Sequence, residues 1–523
     1  MIKENYKIQA FFQDEYLING VIRKWEGSYV DVFSPIFNNL EGKISFLHVG
    51  SHPNMNSETA MEALDAAEKA FDNGKGEWAI MKVVERIKCM QKFVIQMLEN
   101  KSKVVDLLMF EIAKSKKDSE KEFDRTIDYI NDTIEALKDL DRNSSRFLIS
   151  HEIIAQIRRA PLGVTLCMGP YNYPLNETFT TLIPALIMGN TVILKPPKHG
   201  ILLFAPLLKA FQTSFPKGVV NIIYGRGEEL ITPIMKSGRL NVLAFIGSSK
   251  VANILKSHHP KPNRLKCVLG LDAKNPAIIL EDADIQQTVN ECILGSLSFN
   301  GQRCTAIKII FVHEKIAEKF IENFIFAVNK LKIGFPMEDD VFITAMPTIE
   351  KTEYLNKLID DAEEKGAKVL NVRNCNGTLF SPVVLSNVSS EMRIFHEEQF
   401  GPVVPIVIYK NISEAMQYVV NSNYGQQASI FGNNSDEIAE LVDTLVNQVC
   451  RVNINSQCQR GPDDFPFTGR KDSAEQTLSV SDALRVFSIR TLVAAKGNEN
   501  NKNIINNIIS EKKSKFLNTD FIL

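Results

Sequence analysis

The 523-residue sequence is short of several things. It has no Cys-x-x-Cys pair, and its 8 histidines are scarce near its 8 cysteines, Cys89, Cys167, Cys267, Cys292, Cys304, Cys375, Cys450 and Cys458. That spacing argues against a zinc or iron–sulfur site, so no metal is expected. No apolar run is long enough to span a bilayer. The longest, around Ile201–Phe211, is broken by Lys209. The N-terminal MIKENYKIQAFFQDEY is charged throughout and lacks the apolar core of a secretory signal. The C-terminal Phe521-Ile522-Leu523 matches neither the ER nor the peroxisomal address. The cysteines therefore read as free thiols in a reducing, cytoplasmic compartment. Net charge is also missing. Lys plus Arg is 60 and Asp plus Glu is 62, giving −2, so no global electrostatic footprint for nucleic acid exists.

What is present is ordinary globular composition, 44% hydrophobic and 23% charged, in a chain long enough for several domains. The segment NSETAMEALDAAEKAFDNG reads as a helix, capped by Ser57, with Met61, Leu64 and Phe71 on one face and Gly74 as its stop. A second helix carries the stripe Val83, Ile87, Met90, Val94 and Met97, and a third covers roughly Asp118–Asp139. The N-terminal part thus reads as mostly helical. From Leu162 short apolar runs recur between helical segments: Val164–Met168, Thr191–Leu194, Val219–Tyr224, Asn241–Phe245 and Pro276–Leu280. That alternation indicates a parallel sheet covered on both faces, with ligands beyond the strand carboxyl ends. A second alternating region has strands near Lys308–Phe311, Val403–Val407, Ala428–Phe431 and Cys450–Ile454. Arg146–Ile157 and Arg485–Val493 are strand candidates outside both regions. The tail, rich in Asn and Lys, reads as disordered.

The segment SFNGQRCTAIK offers a nucleophile. A single cysteine is most often an inert core residue, but Cys304 follows a polar Asn-Gly-Gln-Arg approach. A cation such as Arg303, or a helix N-terminus, would lower its pKa, and a thiolate attacks carbonyl carbon well.

GQRC, GPYNYP, LKPPKHG and FIGSSKV, in this order, resemble the aldehyde dehydrogenase superfamily over roughly Ser57 to Ala495. Within it, QRGPDDFPFTGRKDS and GQRCTAIK look most like the non-phosphorylating glyceraldehyde-3-phosphate dehydrogenases. The resemblance implies an α/β fold with a Rossmann-like parallel-sheet cofactor domain (1–145 and 160–289) and an α/β catalytic domain (290–480). It also implies a β flap for oligomerisation (146–159 and 481–497), ahead of the tail at 498–523, and homodimers or homotetramers. It implies attack of Cys304 on an aldehyde, hydride transfer to a nicotinamide cofactor, and hydrolysis of the resulting thioester. Asn172 would donate to the oxyanion together with the Cys304 N–H. As a plain turn residue before Tyr173-Pro174, Asn172 would need no such role.

For the cofactor, the resemblance assigns Lys195 to the adenine ribose and Gly225 and Gly247 to close backbone approach. Ser248 goes to the pyrophosphate at a helix start, Glu398 to the nicotinamide ribose, and Phe400 to the nicotinamide end. Lys198 stands where a carboxylate would favour NAD, so NADP is expected, with NAD possible. Lys198 as a solvated helix-start residue is the plainer alternative. A phosphate pocket is implied at Arg125, Tyr173, Arg303 and Arg460, for a small phosphorylated aldehyde. Each arginine alone would pass as a surface ion pair.

One departure concerns the base. The family's glutamate falls on Gly270 when aligned on Lys274-Asn275-Pro276, or on Val268 when aligned on Leu269-Gly270. Asp272 is the nearest carboxylate, either as a substitute base or as a loop hydrogen-bonding residue. The expected activity is NADP-dependent oxidation of glyceraldehyde 3-phosphate to 3-phosphoglycerate. The alternatives are a semialdehyde dehydrogenase whose arginines hold a carboxylate, and a catalytically weakened homologue.

Overall fold

Uninterrupted apolar runs form the centre of each sheet. The computed structural model of the protein describes residues 9–40 and 43–520. The extreme N-terminus and the C-terminal Phe521-Ile522-Leu523, both weighed above as address signals, lie outside the described residues. The first sheet runs, in spatial order, Ala474–Glu475, Lys266–Gly270, Val242–Ile246, Val164–Met168, Thr191–Leu194, Val220–Ile222, Glu15–Ile18 and Val21–Lys24. Its five central strands are parallel, and Val164–Met168, Thr191–Leu194 and Val242–Ile246 are buried at every position. The chain starts this core at Val164–Met168 and adds two strands on one side. It then crosses to lay Val242–Ile246 and Lys266–Gly270 on the other. The crevice at that reversal is where such sheets take ligands.

The second sheet runs Lys368–Val369, Val383–Ser386, Val403–Tyr409, Ile307–His313, Asn275–Ile279, Gln427–Phe431 and Arg451–Ile454. It contains Asn275–Ile279, the run read above as Pro276–Leu280 and assigned to the first region. This strand lies between Ile307–His313 and Gln427–Phe431. The division between the two sheets therefore falls at Leu271–Lys274 and not at 289/290. An apolar run carries no label saying which sheet it joins. The strand Lys266–Gly270, unforeseen, ends the first sheet just before this crossing.

The N-terminal region is less helical than expected, because Tyr29–Leu40 and Lys43–Pro53 form a long antiparallel pair. The expected helices are present. Ser57–Phe71 is capped by Asn56, not Ser57, and stopped by Asp72, which already takes the left-handed conformation. Val83–Leu98 buries Ile87, Met90, Val94 and Met97, and Lys116–Ser144 covers the third helix. The flap is a three-stranded sheet, Ser488–Lys496, Ile153–Pro161 and Leu148–Ser150. The single strand expected over Arg146–Ile157 is a hairpin, because His151 and Glu152 both take positive φ. The region assigned at 481–497 begins with a helix, Val480–Val486.

The tail is not disordered over its described part. Glu499–Ser510 is a helix capped by the Asn498 side chain. Beyond it the chain returns to the flap. Gln156 Nε2 donates to the Asn518 carbonyl at 2.6 Å, Arg158 Nη1 to Asn518 Oδ1 at 2.8 Å, and Lys82 pairs with Asp520 at 3.1 Å. Composition hid these specific polar contacts. Among the described residues no helix is long and apolar enough to cross a membrane, and no cluster of three or more His, Cys, Asp or Glu could hold a metal ion.

Candidate active site

A cavity of about 1920 Å³ lies between the two sheets. That exceeds the roughly 300–1,000 Å³ of a single-ligand pocket, so it can take two ligands end to end. Its wall includes Asn172, Tyr173, Lys195, Lys198, Gly247, Ser248, Asp272, Glu398, Phe400, Arg125, Arg303, Cys304 and Arg460. Of the expected site residues, Gly225 is absent from the wall. Its φ of 145° serves a close approach to Met55, whose backbone an added Cβ would meet at 3.1 Å.

The cofactor end is formed by strand ends. Lys195, just past Thr191–Leu194, is 8% exposed, and burial lowers its pKa to about 8. Its ammonium donates to no acceptor among the described residues, so it is a buried donor set that ribose hydroxyls would satisfy. Ser248 caps the helix Ser249–His258 through Val251 N, placing that helix's amino end on the cavity. Asp272 is held here too. Its Oδ2 accepts from Ser249 N at 2.8 Å and Ser249 Oγ at 2.6 Å. Asp272, the expected loop base, is thus held through Oδ2 at a helix start, as its reading as a loop hydrogen-bonding residue expects. Lys198 is exposed at the rim, near Glu350, whose pKa is lowered first by hydrogen bonds from the backbone and Thr348 and then by Lys198 and His199. These residues fit a dinucleotide.

Before Cys304, Phe299, Asn300 and Gly301 all have positive φ. Asn300 fixes this left-handed run by accepting from Thr344 N at 2.8 Å and donating to Thr344 Oγ1 at 3.1 Å. Gly301 is required, since a Cβ there would lie 2.7 Å from the Ser296 carbonyl and 2.8 Å from that of Gly401. Such strain clusters at functional sites. Asn172 Nδ2 donates to the Gln302 carbonyl at 2.7 Å, and its own carbonyl accepts from buried Lys114 at 2.7 Å. The Cys304 N–H has no acceptor among the described residues. Two donors therefore converge on the nucleophile loop, as an oxyanion requires.

The thiol itself departs from expectation. Burial pushes the Cys304 pKa up, with Glu177 adding to the rise, while Lys308 and Arg460 oppose it. Arg303 does not act as the activating cation, because its Nη2 donates to the Leu294 and Gly295 carbonyls. Lys308, which sequence reasoning missed, joins the two ends of the cavity. Its ammonium donates to the Cys304 carbonyl at 2.8 Å and pairs with Glu398 at 2.8 Å. The available signal was a lone charge inside a buried strand. Phe400 contacts Tyr171 edge-on, with centroids 5.9 Å apart.

At the substrate end Arg460 pairs with Glu177, and its Nε donates to Asp463 at 3.2 Å. Arg125 meets the same Asp463 in bidentate fashion, at 3.0 and 2.8 Å. These two arginines are therefore less free than the expected phosphate pocket required. Arg303 keeps a buried Nε with no partner, and the Tyr173 hydroxyl forms no hydrogen bond among the described residues. Glu177 was missed. It stands five residues after Asn172, a carboxylate in a helix, Asn176–Ile187, that is otherwise apolar, Thr or Asn and buried throughout.

A cysteine and a dinucleotide-sized crevice on one cavity wall are the arrangement of an NAD(P)-dependent oxidoreductase, and comparison with known proteins identifies which class. The family profile described as the aldehyde dehydrogenase family matches residues 44–492. The chain belongs to that family and has its fold. Among similar proteins, the NADP-dependent glyceraldehyde-3-phosphate dehydrogenase of Streptococcus equinus is 36% identical over 453 residues, covering 86% of this chain and 92% of that one. The Arabidopsis thaliana protein of the same name is 32% identical, covering 83% of this chain and 87% of its own length. The crystal structure of the NADP-dependent glyceraldehyde-3-phosphate dehydrogenase from Bacillus halodurans, in complex with NADP, has a TM-score of 0.86 at 31% identity. It covers 93% of this chain and all of that one.

Proposed function

We propose that this aldehyde dehydrogenase oxidises glyceraldehyde 3-phosphate to 3-phosphoglycerate with NADP. The observation that carries the substrate is the unsatisfied Arg303 Nε beside Cys304, with the free Tyr173 hydroxyl on the same wall. A buried guanidinium donor without an acceptor awaits an anion. Lys198 at the rim, and the names of the relatives above, support NADP over NAD.

The chain's own groups define the steps. Asn172 Nδ2 and the Cys304 N–H hold the aldehyde oxygen as the Cys304 sulfur attacks, giving a thiohemiacetal. Bound at the crevice of the first sheet, the nicotinamide would supply hydride acceptance. Lys195 and Glu398 would hold its two riboses. A thioester on Cys304 remains, and water must release it.

A second reading has its own support. Glu177 and Asp463 already neutralise Arg460 and Arg125, which suits a monoanionic semialdehyde better than a phosphate dianion. A panel of phosphorylated, carboxylated and neutral aldehydes with each cofactor separates the two. The first reading expects kcat/KM for glyceraldehyde 3-phosphate with NADP to exceed that for glyceraldehyde by about two decades or more. A carboxylated aldehyde leading the panel would replace it. A reducing cytoplasm suits the eight free thiols. Assembly into dimers or tetramers would cover Ile149, Ile489 and Leu492, which the flap exposes.

A further inference from the structure

The thioester needs an activated water, yet neither Gly270 nor Val268 supplies the expected carboxylate. The cavity wall carries others, and three of them already hold named donors. Asp272 is held by two donors of Ser249. Glu398 takes Lys308 and the Ala273 N–H. Glu122 takes Lys114 and the N–H groups of Leu175 and Asn176.

Glu177 differs. Its side chain is 9% exposed and lies in the first turn of the helix Asn176–Ile187, where the helix dipole favours a carboxylate. Only Oε2 is engaged, by Arg460. Oε1 accepts nothing among the described residues, yet it is not among the sealed, unpartnered buried atoms, so it is open to water in the cavity. Glu177 shares the wall with Cys304, and it is the charge that most opposes ionisation of that thiol. Asn172, which orients the carbonyl, lies in the same short segment.

We propose that Glu177 is the general base of thioester hydrolysis, poised by Arg460. This inference rests on the Cys304 thioester of the proposed function, with whichever aldehyde the protein prefers. Glu177 Oε1 takes one proton from water as the oxygen bonds to the acyl carbon. The C–S bond then breaks with its electron pair going to sulfur. The proton on Glu177 passes to the Cys304 thiolate, and the carboxylic acid product ionises to solvent. The mass balance is thioester plus water giving carboxylate, thiol and a proton, with no redox change in this step. A positioned base of this kind contributes about 10²–10⁴-fold.

The test is pre-steady-state kinetics of Glu177→Gln, which keeps an acceptor for Arg460 but cannot take the proton. The expected result is a normal burst of reduced cofactor, a steady state slowed about a hundredfold or more, and an acyl adduct on Cys304 by intact mass. Glu177→Asp should restore part of the rate, and a solvent isotope effect on the steady state should be lost in Glu177→Gln. A purely structural partner of Arg460 would instead lower the burst and the melting temperature together, and that outcome overturns the proposal. So does an unchanged steady state. A wild type that reduces no cofactor with any aldehyde overturns the parent reading as well.

Discussion

At the cofactor end of the cavity Lys195 is buried and has no acceptor among the described residues. At the substrate end Arg460 and Arg125 have already found carboxylates in their own chain. The first arrangement is a site left open for a ligand. The second is a network of paired charges, in which Arg303 Nε, the Tyr173 hydroxyl and Glu177 Oε1 have no partner among the described residues. A dinucleotide therefore enters without displacing any pairing of Lys195, whereas an anion at the other end must share or replace Glu177 and Asp463. On the proposed reading, binding at the substrate end would be a difference between two sets of charge-assisted hydrogen bonds, with Arg303 supplying the donor that has no partner among the described residues.

Four changes would break or sharpen this contrast. Cys304→Ser removes the atom at which the two ends meet. Aldehyde oxidation should fall by more than about a thousandfold, while cofactor binding by fluorescence titration stays within about twofold. Retention of most activity would remove Cys304 from its role. Arg460→Met leaves Glu177 and Asp463 buried without their shared cation. Unfolding in denaturant should show a loss of about 3–5 kcal/mol, and a loss near zero would mean the network is not paired as described.

Arg303→Met should weaken use of glyceraldehyde 3-phosphate by about 1.5–3 kcal/mol, one to two decades in kcat/KM. Unphosphorylated glyceraldehyde should be little affected, and equal losses on both would move the anion site elsewhere. The smallest effect belongs to pH. Burial lowers the Lys195 pKa to about 8, below its unfolded value of about 10.4. The charged ammonium is the better donor to ribose hydroxyls, so dinucleotide affinity should be steady below pH 8 and weaken above it. Lys195→Met should flatten that profile. The stability linkage has the opposite sign. The unfolded chain holds the proton between about pH 8 and 10.4, so Lys195 burial penalises folding less as pH rises through that window.

The two ends were also unequally legible in the sequence. One end of the cavity rests on local features, strand then turn then helix start, so short motifs were enough to single out Lys195, Gly247 and Ser248, which line its wall. Gly225 lies outside the cavity wall, because a glycine in a sequence shows that something approaches closely, not what. Here it is Met55. The substrate end rests on pairs between distant segments, such as Glu177 and Arg460, 283 residues apart. The arginines could be singled out, but the carboxylates that occupy them could not. The same limit applies to Asn275–Ile279, whose apolar run was plain while its sheet was not. It applies again to the tail, where Asn518 and Asp520 gain order only by reaching Gln156, Arg158 and Lys82.

In the proposed reaction Cys304 is the point where aldehyde, cofactor and water meet. The most direct measurement is intact-mass and peptide mapping of the protein quenched during turnover of glyceraldehyde 3-phosphate with NADP. The prediction is a phosphoglyceroyl adduct on the Cys304 peptide alone, absent without NADP and absent in Cys304→Ser. Reduced cofactor accumulating while the protein carries its adduct on a different cysteine would contradict it.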